Sequence, residues 1–236
     1  MDAIMPPDTP ASGPTARISI AEAAAPQIYR LLRDRIVAVD LVPGERLSEA
    51  EVARSLDVSR QPVREAFIKL SEDGLIEIRP QRGTFVRPIS RKVVMDARFV
   101  REAIEADTVR LVAADPDPAL IASLRGQLQE QESFSDSDPF RFKEMDERFH
   151  LTFAEAIDKP YAWRVVGDVK LQLDRVRNLS LLSFPRARVI RQHRDIVDAV
   201  AAADPEGADR AMRRHLREIL IDLPRIAEAH PDYFVA

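Results

Sequence analysis

The stretch SEAEVARSLDVSRQPVREAF, residues 48–67, contains two helix starts separated by a single short helix and a turn. Ser48 with Glu51 three residues on is a capping box, in which the hydroxyl and the carboxylate satisfy backbone N–H groups at a helix start. Val52, Leu56 and Val58 give that helix its apolar face. Ser59 offers a second N-cap, and Pro62 falls in the first turn, where a missing N–H costs nothing. Val63, Ala66, Phe67 and Leu70 then recur at helical spacing and must face inward.

The same reading extends in both directions. Upstream, Ile28, Leu31, Leu32, Ile36 and Val37 follow a helical period that stops near Asp40, before the turn pair Pro43-Gly44. Downstream, Asp73-Gly74 closes the third helix, and Leu75, Ile76 and Ile78 lead to Pro80. Gln81-Arg82-Gly83 then turns the chain into Thr84-Phe85-Val86, so the segment predicts a hairpin. Three helices and a two-stranded wing over residues 21–88 make a winged helix-turn-helix. In that arrangement the second helix of the pair lies in the major groove of DNA with its N-terminal side chains on the base edges. Those side chains are Ser59, Arg60, Gln61 and Arg64. Arg bonds guanine bidentately, Gln bonds adenine, and Ser reaches phosphate or base. Arg46, before the second helix, and Arg82, beside Gly83 in the wing, stand where they reach backbone or minor groove. A solvated helix face would also carry Arg60 and Arg64. Two Arg and a Gln at a capped start, followed by a Gly-turned hairpin, favour the DNA reading.

Pro43-Gly44, Leu47-Ser48-Glu49, Val58-Ser59-Arg60, Pro62-Val63-Arg64-Glu65-Ala66, Gly74-Leu75-Ile76 and Arg82-Gly83-Thr84-Phe85-Val86 together resemble the winged helix of the GntR family. The resemblance places Arg46, Arg60, Arg64 and Gly83 at that family's DNA-contact positions. Gln61 sits where the family varies, which leaves the operator sequence open. The expected partner is a roughly palindromic double-stranded DNA operator.

Charge agrees only when it is divided along the chain. The net charge is −4, but residues 27–91 hold 12 Lys and Arg against 10 Asp and Glu. The excess is small, so charge alone would not identify a nucleic-acid binder. With 45% hydrophobic residues over 236 positions a sizeable core is available, and Gly at only 7 positions favours a mostly helical fold. Cys is absent, which excludes disulfides, thiolate nucleophiles and sulfur ligands. No apolar run approaches a membrane span, and residues 1–20 read as a disordered lead rather than a signal peptide. A cytoplasmic protein is expected.

Beyond Pro88 there is no strand signal. Pro at 116, 139, 160, 185 and 205 punctuates helix-period segments over 90–114, 117–133, 139–157, 160–183, 185–203 and 205–229. This predicts a six-helix antiparallel bundle over residues 89–230, with a tail over 231–236. Its apolar stripes contain four residues of the wrong character: Asp146, His150, His193 and His215. Asp146 and His150 share one helix face at i,i+4 spacing. A buried carboxylate among buried imidazoles is costly without a partner, and a cation is the partner all four could share. Oxygen and imidazole donors suit a divalent transition metal, zinc first and nickel as the alternative. His230 falls in the polar tail.

This half resembles the FCD ligand-binding domain of the FadR-like GntR branch, whose motif is Asp-x-x-x-His followed by one His on each of the last two helices. The resemblance assigns Asp146, His150, His193 and His215 as metal ligands. It also implies a homodimer and an effector that is a small carboxylate or sugar acid bound at or beside the metal. Arg101 can clamp such a carboxylate, or simply pair with Glu105 four residues on. Asn178 is a second candidate effector contact. The expected function is therefore effector-controlled DNA binding. The alternative is a metal-dependent hydrolase carrying a winged helix, although no phosphate loop, nucleophile elbow or adjacent general base accompanies the ligands. A fatty-acyl sensor would not need three inward His.

Overall fold

A computed structural model of the protein describes residues 18–19, 21–134, 139–183 and 185–235. The expected N-terminal lead lies outside the described residues apart from residues 18 and 19. The chain forms two compact units: the residues up to Asp34 with Arg46–Phe85, and Arg35–Glu45 with Val86 onward. The turn region between the first two helices thus groups with the second unit, although it lies inside the segment 21–88 expected as one domain.

The first unit holds α1 (Ala24–Val37, whose last turn passes into the second unit), β1 (Arg46–Leu47), α2 (Glu49–Ser55), α3 (Arg60–Glu72), β2 (Ile76–Arg79) and β3 (Gly83–Val86, whose last residue belongs to the second unit). Ser48 Oγ accepts from Glu51 N at 3.3 Å, which is the hydroxyl half of the expected capping box. Ile28, Leu32, Val63, Ala66, Phe67, Leu70, Leu75 and Ile76 are buried. Burying Phe67 alone contributes about 2–3 kcal/mol. Tyr29 Oη donates to Asp73 Oδ2 at 2.5 Å, tying α1 to the end of α3. Burial and the Asp73 carboxylate push the Tyr29 phenol up to about 12. The sheet has three strands in the order β1-β3-β2, one more than the expected hairpin. Arg46 pairs with Phe85 and Leu47 with Thr84. A two-residue strand has no alternation to read, which is why β1 left no signal.

The second unit holds β4 (Ile89–Ser90), α4 (Arg91–Ala114), α5 (Pro118–Ser133), α6 (Pro139–Ala156), α7 (Pro160–Val169), α8 (Leu171–Ser183), α9 (Ala187–Ala201), α10 (Pro205–Leu216), α11 (Ile219–Ala229) and β5 (Phe234–Val235). Asp117 and Asp204 cap α5 and α10, each accepting from a first-turn N–H at 2.8 Å. The expected helix over 160–183 breaks at Lys170, and that over 205–229 breaks at Arg217-Glu218. Neither break carries a Gly or Pro, so the six expected helices become eight among the described residues. The tail is also structured: β5 pairs in parallel with β4, Ile89 against Phe234 and Ser90 against Val235. No helix among the described residues is long and apolar enough to cross a membrane.

Two apolar cores explain where the polar residues sit. One joins Ala106, Val109, Leu124, Phe149, Phe153, Ile196 and Met212; the other joins Ile89, Val94, Ala97, Leu173, Val176, Ile219 and Leu223. Along α4, Arg101, Glu102 and Glu105 fall between the two sets. His215 falls between Met212 and Ile219 in the same way, and all four of these polar residues are buried.

Candidate metal centre and nucleic-acid interface

Three helices bring four predicted residues together. Asp146 and His150 come from α6, His193 from α9 and His215 from α10, and one donor atom from each lies within 4.8 Å of all the others. All four are buried. His150 Nε2 and His215 Nε2 are 3.2 Å apart, and His193 Nε2 is 3.5 Å from Asp146 Oδ1. Two donors at about 2.0–2.1 Å from one ion, at a tetrahedral angle, stand roughly 3.3 Å apart, so these spacings suit a shared cation.

The opposite nitrogen of each ring meets a side-chain oxygen. His193 Nδ1 is 2.9 Å from Gln131 Oε1 and His215 Nδ1 is 3.1 Å from Gln192 Oε1. His150 Nδ1 is 2.6 Å from Glu105 Oε2, close but off the straight hydrogen-bond line. A proton on each Nδ1 leaves every Nε2 as a lone pair aimed at the centre. Phe149 stacks on His193, centroids 4.1 Å apart and planes 17° from parallel, which fixes that ring further. Asp146 Oδ1 and His193 Nε2 are buried with no hydrogen-bond partner among the described residues. Such orphaned atoms are costly, and facing lone pairs repel. The donor set therefore fits a divalent transition metal.

Electrostatics keep the ligands in binding form. Burial pushes the His193 imidazole down, and it holds His215 well below the ordinary value with help from the neighbouring rings. Burial would raise the Asp146 carboxyl, but Arg177, which donates to its Oδ2, and the adjacent imidazoles hold it well below the usual range. Burial opposes Glu105 in the same way, yet Arg101 and His150 bring it to about 2.

Beside the centre lies a cavity of about 70 Å³ whose lining includes Arg101, Asp146, Arg177, Arg188, Gln192 and His215. A water needs only about 10–15 Å³ by this measure. Of the two sequence candidates for effector contact, Arg101 reaches this cavity but spends its guanidinium on Glu105, with Nε to Oε1 at 2.6 Å. The plain ion pair is thus the observed state. Asn178 is absent from the lining; its amide donates to the Val37 carbonyl. Glu105 was visible in the sequence only as the partner of Arg101. Gln131, Gln192, Arg177 and Arg188 gave no usable signal, because polar residues on amphipathic helices are ordinarily solvated.

In the first unit, burial of Val63, Ala66, Phe67 and Leu70 turns the other side of α3 outward. Ser59, Arg60, Gln61 and Arg64 are exposed at its N-terminus, Ser59 making no side-chain cap bond. Gln61 Nε2 donates to Glu65 Oε1 at 3.0 Å. Arg46 is exposed on β1, and Arg82 is exposed in the turn between β2 and β3. Gly83, at φ +112°, lies so close to Arg46 that a β-carbon there would stand 3.0 Å from Arg46 Nε.

Comparison with known proteins matches this division. Residues 24–86 match bacterial regulatory proteins of the gntR family, and 96–218 match the FCD domain. The Escherichia coli K12 protein named HTH-type transcriptional repressor RspR is 40% identical over 210 residues, 88% of this chain and 92% of that one. A solved putative transcriptional regulator GntR from Rhodococcus sp. RHA1 is 26% identical, with a TM-score of 0.67 over 87% of this chain and 98% of its own. The E. coli McbR/YncC structure, 19% identical, supports the fold alone, with a TM-score of 0.71 over 86% and 99% of the two chains. These relatives are regulators rather than enzymes, which sets the hydrolase alternative aside. The chain belongs to the gntR family of bacterial transcription regulators, with an N-terminal helix-turn-helix and a C-terminal FCD domain.

Proposed function

We propose that the protein is a homodimeric, cytoplasmic repressor whose operator binding is controlled by a small organic acid bound beside a metal ion. The carrying observation is the buried set of Asp146, His150, His193 and His215 with a polar cavity next to it that Arg101, Arg177 and Arg188 line together with Glu218 and Asp222. Those four residues would hold a divalent transition metal, zinc or nickel. The ion would supply a fixed positive charge for a carboxylate or sugar-acid oxygen. Arg177 and Arg188 line the same cavity, the first paired with Asp146 and the second with Glu218 and Asp222; like Arg101 with Glu105, each would grip an effector carboxylate in exchange for a present partner. Asn178, bonded to Val37, supports a structural role better than an effector contact. On DNA, Arg60, Gln61 and Arg64 read base edges, while Ser59, Arg46, Arg82 and the Gly83 turn engage the backbone or minor groove. Two copies on a palindrome supply the affinity that a nearly neutral module lacks. The name of the 40% identical relative favours repression.

The test combines elemental analysis with a thermal-shift screen. Protein purified without chelator should hold about one transition-metal ion per chain. Small carboxylates should raise the melting temperature of loaded protein more than of stripped protein, and the same acids should change retention of an operator selected from random duplexes. Wild-type protein that takes up no transition metal, or whose DNA binding no acid alters, would overturn the reading.

A further inference from the structure

We infer that Glu105 is a positioning residue for the metal: it orients His150 through Nδ1, while Gln131 and Gln192 do the same for His193 and His215. The inference rests on the metal reading above and concerns the oxygens behind the rings rather than the ligands themselves. All three Nδ1 atoms lie 2.6–3.1 Å from a side-chain oxygen, and those oxygens come from α4, α5 and α9, helices packed around the rings. An oxygen that accepts from Nδ1 fixes both the tautomer and the direction of the Nε2 lone pair. The three supports are not equivalent. Two are neutral amides, whereas Glu105 is a buried carboxylate held by Arg101 through 2.6 and 3.3 Å contacts. A carboxylate behind an imidazole raises its donor strength, so His150 is the strongest of the three imidazole ligands. The arrangement also gives Arg101 a reason to be buried: it fixes Glu105, and Glu105 fixes the ring.

The experiment titrates the stripped, full-length protein with Co²⁺ against a chromophoric chelator. It compares wild type with Glu105→Gln, which keeps an acceptor but not the charge, and Glu105→Leu, which keeps only the volume. We expect Co²⁺ affinity to fall in the order wild type, Gln, Leu, with the Leu variant about 10–100-fold weaker than wild type. In Co²⁺-loaded protein, proton spectra should show one exchangeable ring N–H per ligand His, and Glu105→Gln should move one of the three. A merely structural Glu105 would leave those resonances in place. Gln and Leu variants that bind Co²⁺ within twofold of wild type, or a Gln variant with all three resonances unmoved, would overturn the inference. If the Leu variant does not fold, the Gln variant decides. Wild type that binds no Co²⁺ is a separate result, which removes the metal reading itself and this inference with it.

Discussion

Gly83 and Arg46 fit against one another in the wing: the Arg46 guanidinium occupies the space that a side chain at residue 83 would need. The backbone there has φ +112°, a conformation L residues rarely adopt. Gly83→Ala therefore combines backbone strain with displacement of an arginine proposed to touch DNA. We expect a loss of about 1–3 kcal/mol in urea denaturation, together with weaker operator binding. Unchanged stability and unchanged binding would show that the wing tolerates a different turn.

Arg60 and Arg64 make no ion pair with another described residue, so their truncation should leave the fold intact. Each of Arg60→Ala and Arg64→Ala should cost about 1–3 kcal/mol in operator affinity and relax sequence preference. Arg82→Ala should instead weaken binding evenly across sequences and reduce the slope of affinity against salt. Gel-shift titrations at two or more salt concentrations, beside circular dichroism, separate these outcomes. Double-variant affinity equal to wild type would sink the α3 assignment.

The readable parts of this chain and the hidden ones differ in physical scale. Ser48 with Glu51, Ser59 with Pro62, and the inward Val63, Ala66, Phe67 and Leu70 are local codes, and the structure places each where its spacing required. Asp146 and His150 were likewise paired by helix geometry alone. The break at Lys170, the two-residue strands and the oxygens of Gln131 and Gln192 depend on packing against distant segments, which no local pattern encodes. Arg101 shows the limit well. Its i,i+4 spacing to Glu105 was legible, but that Glu105 reaches on to His150 requires α4 and α6 to be adjacent.

Arg177 is the counter-charge that lets Asp146 stay ionised in a buried site. Replacing it with Met keeps much of the volume but leaves a buried carboxylate facing only imidazoles. In metal-free protein Arg177→Met should lose about 3–5 kcal/mol of stability. A bound cation should restore much of the loss, because it supplies the missing positive charge. Denaturation with and without Zn²⁺ measures both effects. An equal loss in the two conditions would mean that Arg177 serves packing alone.

The direction of the shifted groups fixes how the metal-free protein responds to acid. Burial keeps His193 and His215 neutral in the fold below the pH at which free imidazole, near 6.5, takes a proton. Between those limits the unfolded chain binds more protons than the native one, so stability falls as pH drops below about 6.5. Each imidazole adds a slope of about 1.4 kcal/mol per pH unit. Glu105 acts further down: its folded value near 2 against 4.5 when unfolded gives a contribution present above pH 4.5 and lost as pH falls toward 2. Stripped protein unfolded in urea at pH 8, 7, 6 and 5 should lose stability mainly in the last two steps. His193→Gln should lessen that loss, because one of the two imidazoles that burial holds neutral is gone. Stability that is flat from pH 7 to 5 would show that these imidazoles are not held neutral by the fold.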